Sequence, residues 1–278
     1  MQKAKKKKRP GAVKLRFFLF LTIALVVFSL IAPLFAPHDP NATNPQTLNL
    51  APCAEYPLGC DLYGRCVLSR ILAGAGTSVF SAVALVALTF VIGTFAGMIS
   101  GWYGGIADTL IMRIAEIFLA FPQMVLAIAV AGILGGGMGN AMLALGVTGW
   151  TLYARLARTQ VMALKEEPFV QAARLSGFSP VRIMFRTLLP VMAGPLIVNA
   201  ATQLGTMMIS LAGLSFLGIG VQEPKAEWGS MVAASRSYMQ LAPWAVLAPA
   251  FAILITVMIF NYLGDCFRDY LDVEAEHE

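Results

Sequence analysis

The sequence predicts an all-α polytopic membrane protein with six transmembrane helices and a cytoplasmic two-helix loop, and three observations carry that expectation. Of 278 residues, 58% are hydrophobic and only 13% are charged, far from the composition of a soluble domain. Apolar blocks long enough to cross a bilayer, which takes about 20 residues, recur at 15–35, 77–101, 110–134, 140–158, 195–216 and 241–263. Between the fourth and fifth blocks lies a polar, charged stretch at 165–190, longer than a tight turn and much shorter than a domain.

Residues 1–14 form a basic tail containing Lys3, Lys5, Lys6, Lys7, Lys8 and Arg9. Nucleic acid would attract such a run, but it abuts a spanning block, where anionic inner-leaflet lipid accounts for it; membrane lipid is the expected partner and nucleic acid is not. Block 15–36 is too long for a signal peptide core, and Pro37-His38-Asp39-Pro40 offers no cleavage site, so it is read as the first transmembrane helix. Residues 37–76, rich in Pro and Asn, read as an extracytoplasmic loop ending in a short helix. Residues 77–264 are the transmembrane core and 265–278 a cytoplasmic tail. Within the core, Trp102-Tyr103-Gly104-Gly105 marks an interfacial corner, Gly135-Gly136-Gly137 an outer turn, and Phe121-Pro122 a kink in the third span that would serve a gate or ordinary packing.

Positive charge fixes the orientation. With the amino terminus inside, sixteen Lys and Arg fall on inner segments or beside them, against four outside: Arg65, Arg70, Lys225 and Arg236. Both termini and the 165–190 island are therefore expected in the cytoplasm of a multi-pass protein.

The island is strongly punctuated. Gly177 suits the left-handed conformation that ends a helix, and Ser179-Pro180 is an N-cap followed by proline at the first helical position. Two short helices should meet there. In the second, Val181, Met184, Phe185 and Leu188 recur at helical spacing, with Arg182 and Arg186 on the other face. Pro190 and Pro195 should separate this helix from the fifth span.

In the fifth span Asn199, Gln203, Thr206 and Ser210 share one face of an otherwise apolar helix. Two readings stay open: a polar wall of a translocation pathway, with Met207 beside it, or interhelical hydrogen bonding. Met207 and Met208 also fit adaptable packing. Arg113 and Glu116, three apart, fit a structural ion pair better than a substrate site. Of four cysteines, Cys53, Cys60 and Cys66 fall outside and Cys266 inside. Three outer cysteines leave one unpaired, and spacing cannot choose the pair; a disulfide, a metal relay with His38 and Asp39, and no special role all remain.

Rival function classes fare differently, and an ion-coupled secondary transporter and a non-transporting membrane scaffold stay as alternatives. Gly213-x-Ser215 resembles a nucleophile, but the only histidines are His38 and His277, so no span pairs a serine with a histidine. No phosphate-binding glycine loop is present to power a pump, and mid-span carboxylates that an ion-coupled carrier would use are missing. A passive scaffold would not need the island. No catalytic residue, cofactor or resident metal is expected.

Gln171-Ala172-Ala173-x-x-x-Gly177 followed by Leu189-Pro190 resembles the EAA loop of binding-protein-dependent ABC importer permeases, with Gln171 where glutamate is usual and Thr187 where isoleucine is usual. Three further stretches resemble the peptide and nickel branch of that family: Pro57-Leu58-Gly59-x-Asp61-x-x-Gly64-Arg65-x-x-Leu68-Ser69-Arg70, then Leu214-Ser215-Phe216-Leu217-Gly218-x-Gly220 with Glu227-Trp228-Gly229, and Asn261-x-x-Gly264-Asp265-x-x-Arg268-Asp269. The chain departs from the first at Cys60, where threonine is usual, and at Cys66, where aspartate is usual. The resemblance implies that Gln171, Ala172, Ala173, Arg174, Gly177, Arg182, Arg186 and Pro190 couple the chain to an ATPase. It also implies a second permease subunit in a heterodimer, two ATP-binding subunits and an extracytoplasmic solute-binding protein as partners, in a bacterial inner membrane. The substrate, a dipeptide, an oligopeptide, nickel or a metal chelate, stays open, as do the identities of the partner subunits.

The charge asymmetry makes a topological prediction. A reporter fused after Glu278 should be active only in the cytoplasm, and one inserted at 221–240 only outside. Chemical accessibility of 165–190 from outside intact cells would overturn the orientation.

Overall fold

A computed structural model describes residues 10–275, with side chains over 13–271. The basic run at 3–9, His277 and Glu278 lie outside the described residues. Among the described residues the chain is helical, with no strand and a single isolated β-bridge.

Helix α1 (Pro10–Ile31) ends in a 3-10 turn (Ala32–Phe35). Helix α2 (Val67–Tyr103) runs 37 residues, roughly 55 Å at 1.5 Å per residue. The short helix expected at the end of the loop is thus the first three turns of α2, starting ten residues before the apolar block. The expected third span is two helices, α3 (Gly105–Leu119) and α4 (Gln123–Leu134), meeting at 90°. Pro122 there is extended (φ −57°, ψ 125°) and lacks an N–H, so the chain leaves the helix altogether rather than kinking. Helix α5 (Met138–Leu164) follows, then α6 (Pro168–Leu175), α7 (Pro180–Ile183), a π-helical turn (Met184–Leu188) and α8 (Leu189–Phe216), and finally α9 (Trp228–Ser235) and α10 (Pro243–Ala275).

Pro190 does not break the chain, contrary to expectation. From Pro180 to Phe216 the helix is continuous for 37 residues. The π turn explains this: Leu189 N–H bonds Met184 O five residues back, and the wider turn makes room for a ring that an α turn would reject. The same turn rotates the residues around it. Ile183, Met184 and Leu188 are buried, whereas Val181 and Phe185 are exposed beside Arg182 and Arg186, because 3.6-residue spacing does not survive a π turn.

Among the described residues, four helices or helix runs are long and apolar enough to cross a membrane, and the bent α3–α4 pair makes up to five. Helix α5 is the central one and packs along α2. Gly93, Gly97 and Gly101, one turn apart on α2, meet it backbone to backbone: a Cβ at these positions would lie 2.6 Å from Tyr153 Cβ, 2.8 Å from Ala157 Cβ and 2.9 Å from Val161 Cβ respectively. Small residues at four-residue spacing are how membrane helices approach closely. A second seam joins α8 to α10, where Gly205 faces Asn261 and Gly264 faces Thr202. The core between these seams is filled by Val79, Leu85, Leu145, Met207, Leu214 and Phe260.

The glycine seam predicts a contrast. Gly97→Ala should destabilise the purified protein by about 1–3 kcal/mol through overpacking. Gly146→Ala, whose new methyl would make ordinary contact 3.7 Å from Leu85, should be neutral or stabilising. Thermal unfolding in detergent separates the two, and equal tolerance would contradict the seam.

Candidate functional site

At the end of the bundle where α2 begins, the 36–66 loop is closed by a buried polar clasp. Asp61 is its hub. Its Oδ1 accepts from the backbone N–H of Tyr63 and of Arg65, each at 2.9 Å, and its Oδ2 accepts from Arg65 Nε at 2.7 Å. Arg65 reaches on to Glu223 at 3.1 Å, and its guanidinium lies over the Tyr63 ring. Arg70, from the first turn of α2, has Nε 3.8 Å from Asp61 Oδ2 and donates to the carbonyls of Pro40 and Pro224 at 3.0 and 3.3 Å. Burial of Arg65 works against its charge, but Asp61 and then Glu223 outweigh it and hold its pKa above the usual range. Gly64, at φ +73°, makes the turn between the partners, where a Cβ would run into Asn44 O.

Glu227 completes the clasp from the other side. Its carboxylate accepts from Gly229 N and Ser230 N, both at 2.8 Å, so it caps α9, and it accepts from Ser78 Oγ of α2 at 3.3 Å. Trp228 donates from its backbone to Ser78 Oγ and from its indole to Ile71 O. The motif at 57–70 reaches Glu223 and Pro224 while the motif at 227–229 reaches Ile71 and Ser78, so both tie the start of α2 to the 217–227 connection. Leu214 to Gly220 does something else and closes the C-terminus of α8, where Gly218 N bonds Ser215 O, Ile219 N bonds Leu214 O, and Gly218 has φ +81°.

The island sits at the opposite end. The same closure ends α6: Gly177 N bonds Arg174 O at 2.9 Å, Phe178 N bonds Ala173 O at 3.2 Å, and Gly177 has φ +75°. Ser179 Oγ accepts from Arg182 N at 3.4 Å and Pro180 opens α7. Both short helices are seated on the α2–α5 pair, because Val170, Ile183, Met184 and Leu188 bury against Met98, Ala157 and Val161. Arg174 lies over Trp102 of α2 at 4.6 Å. The outward surface carries Ala172, Gly177, Arg186 and Pro190, with Leu175 90% exposed, and Arg182 stacked on Phe178 at 4.0 Å. Gln171 and Ala173 are half-buried, and Gln171 donates to Glu166 at 3.1 Å.

Below the island, Asp108 ties α3 to α5. Arg158 Nε and a terminal nitrogen bond its two oxygens at 2.5 and 2.7 Å, and Ser100 of α2 donates to it as well. Sequence reasoning missed this pair, although a lone acid at the head of an apolar block was the signal for it. Arg113 and Glu116 do pair, at 3.0 Å, but both are exposed, which fits a surface contact of small energetic weight.

On α8 the structure separates Met207 from the polar stripe. Met207 is fully buried and Met208 nearly so, packed in the core with the Met207 methyl beside Gly149 and Thr89. One residue is 100° of helix, which turns 207 away from 206. Asn199, Gln203 and Ser210 are half-buried and Thr206 is exposed. Ser210 donates to Thr206 O at 2.9 Å; among the described residues the side chains of Asn199 and Gln203 make no hydrogen bond.

Residues 93–275 match the model of the family described as binding-protein-dependent transport system inner membrane component, and residues 8–52 match the N-terminal transmembrane domain of oligopeptide transport permease C. The chain belongs to this family of transport permeases. It is 40% identical over 254 residues to the dipeptide transport system permease protein DppC of Alkalihalophilus pseudofirmus, covering 91% of this chain and 84% of that one. The nickel transport system permease protein NikC of Escherichia coli is 37% identical, with 92% and 93% covered, and the glutathione transport system permease protein GsiD of Pectobacterium atrosepticum is 38% identical, with 94% and 86% covered. An inward-facing structure of the MetNI methionine ABC transporter superposes with a TM-score of 0.56 over 72% of this chain and 95% of that chain, at 24% identity, so the two share a fold. The chain is a multi-pass permease subunit of an ABC importer.

Within this permease the clasp predicts a large cost for a small change. Asp61→Asn keeps the shape but removes the buried charge that Arg65 and Arg70 share, leaving Arg65 only Glu223, which should cost about 3–5 kcal/mol. Limited proteolysis should then cut the 36–66 loop at Arg65, which the intact clasp protects. A protease-resistant Asp61→Asn loop would show that the clasp does not depend on the ion pair.

Proposed function

We propose that the chain forms half of the pathway of an importer. It would pair with a second permease subunit, dock on two ATP-binding subunits through 165–190, and receive its solute from an extracytoplasmic binding protein. The ATPase activity then resides in partner subunits. The observation that carries the proposal is the island itself: two short helices held at a fixed angle by Gly177, seated on α2 and α5, with Leu175, Phe178, Arg182 and Arg186 presented outward and uncovered. Apolar and cationic side chains held this way suit a groove with acidic edges.

Counting α5 as a span gives six. Helix α5 packs against α2, α4 and α8, and its lower hydropathy reflects the glycines, threonines, Arg155 and Arg158 it carries. The charge asymmetry supports placing both termini and the island in the cytoplasm of a bacterial inner-membrane protein. Tail 1–14, helix 15–36, loop 37–76, core 77–264 and tail 265–278 remain the proposed division, although α2 already begins at Val67, within the loop segment.

Coupling rests on the continuous rod from Pro180 to Phe216. Closure of the ATPase dimer would move the island, the rod would carry that motion to Asn199, Gln203, Thr206 and Ser210, and the spans would reorient around them. These side chains are amides and hydroxyls, which hydrogen-bond a peptide backbone, while the sulfurs of Met207 and Met208 are buried away from them. A peptide is therefore favoured over a bare soft metal as the solute. An open concavity of about 360 Å³ at the far end of the rod, rimmed by Gln222, Glu223, Ser230 and Arg236, suits the side from which the solute enters.

Gly177 supplies the test. No atom lies within 4 Å of where its Cβ would be, so bulk within this chain is not the issue; φ +75° is. Gly177→Val should strain the turn by roughly 1–2 kcal/mol, whereas Gly177→Asn should be tolerated. In the assembled importer the valine variant should insert and pair normally but lose transport and binding-protein-stimulated ATP hydrolysis. The asparagine variant should retain both, with dipeptide-loaded binding protein stimulating more than nickel-chelate-loaded protein. Normal transport by well-expressed Gly177→Val would remove the coupling role.

A further inference from the structure

We propose that Cys60 and Cys66 form a disulfide that locks the turn bearing Asp61 and Arg65. The two residues oppose each other in the isolated antiparallel bridge. Its hydrogen bonds run from Asp61 N to Arg65 O and from Val67 N to Gly59 O, both at 3.0 Å, so they flank the cysteine pair, which exchanges none of its own. This is the non-hydrogen-bonded position of an antiparallel ladder, where facing Cα atoms stand about 4.5 Å apart and side chains approach most closely. A disulfide spans Cα separations of about 4.4–6.8 Å, so the bond closes without moving the backbone.

Burial separates this pair from the third outer cysteine. Cys60 and Cys66 are 0% and 2% exposed, whereas Cys53 is exposed. Sequence spacing could not choose between three pairings; the bridge does. The two cysteines are also the positions at which the chain departs from the outer-loop pattern it otherwise follows, and the departures face each other.

The structure holds both as free thiols. Burial, and then Cys66 beside it, pushes the Cys60 thiol up to about 11, which makes it a poor nucleophile once the clasp has closed. Oxidation therefore belongs to the folding of the loop. The step is exchange with an oxidised dithiol protein outside the cytoplasm: one loop thiolate opens that protein's disulfide, and the second displaces the mixed disulfide. One S–S bond forms in the loop, one breaks in the oxidant, and the oxidant's two sulfurs leave as thiols carrying the two protons. That the loop lies outside the cytoplasm rests on the orientation proposed above.

The test uses the full chain in membranes, acid-quenched, denatured in SDS and tagged with a maleimide mass label. Two tags are expected before reduction, on Cys53 and Cys266, and four after it. Cys53→Ser should give one and three. In a tryptic digest of Cys53→Ser, cleavage after Arg65 cuts the backbone between the pair, so the peptide 66–70 should stay joined to the peptide ending at Arg65 until reduced. A membrane-impermeant maleimide applied to intact cells reads the orientation separately, through exposed Cys53. Four tags before reduction, with Cys53 labelled from outside, would overturn the disulfide alone. Cys53 shielded from the outside reagent would overturn the orientation and this proposal with it, whereas a Cys53→Ser protein carrying three tags before reduction would overturn the disulfide alone.

Discussion

Backbone contact between α2 and α5 is the constraint on which the other features depend. Three glycines one turn apart remove every side chain from the α2 face that meets Trp150, Ala154 and Arg158. Lipid offers no hydrophobic drive to bring two apolar helices together, so close van der Waals fit must supply the association. The register it fixes then sets both ends of the molecule. At one end, Ala157 and Val161 come level with Met98 and make the seat for Val170, Ile183 and Leu188. At the same level Arg158 meets Asp108 and holds α3. At the other end, the overlong α2 brings Arg70 and Ser78 into the clasp.

The clasp gives the charged residues of the outer-loop motif a structural role. Asp61, Arg65, Arg70 and Glu227 are each almost wholly buried. Burying charges costs several kcal/mol per ion, and the attraction between partners offsets this only when hydrogen bonds are saturated. Asp61 meets that condition with two backbone donors besides its guanidinium, and Glu227 with two backbone donors and a hydroxyl. The result is geometric specificity: an open loop of some thirty residues is pinned to α2 and to the 217–227 connection in one arrangement.

How much of this was legible in the sequence follows the range of the interactions. Gly177 as a helix end and Ser179-Pro180 as a helix start are local signals, and each appears where it was expected, while the apolar blocks all fall on helices whose bounds and breaks differ from those expected. Asn199, Gln203, Thr206 and Ser210, spaced four, three and four apart, also lie in one regular helix, as expected. What failed was non-local or phase-dependent. The glycine seam looks like ordinary membrane composition until α5 is laid against it. Pro122 and Pro190 carry the same local signal, yet one turns the chain by 90° and the other sits in a continuous helix, because only the second is preceded by a π turn. The same turn defeated the face assignment of Val181 and Phe185, and Met207 was misplaced by reading it with its neighbour rather than with its own face.

The π turn also bears on how a pull on the island would travel. A straight α-helix through Pro190 would lack a hydrogen bond and clash at the ring, giving a flexible joint between island and span. The wider turn keeps the ladder connected through Leu189, and Met184, Leu188, Met192 and Leu196 form an unbroken buried row on both sides of it. Island and span are therefore joined by packing as well as by backbone. The row stops at Leu196, and the polar stripe begins at Asn199 on a face the rest of the chain leaves partly open. Packing thus joins the proposed docking surface to the start of the stripe, and beyond Leu196 the same helix carries the stripe on its partly open face.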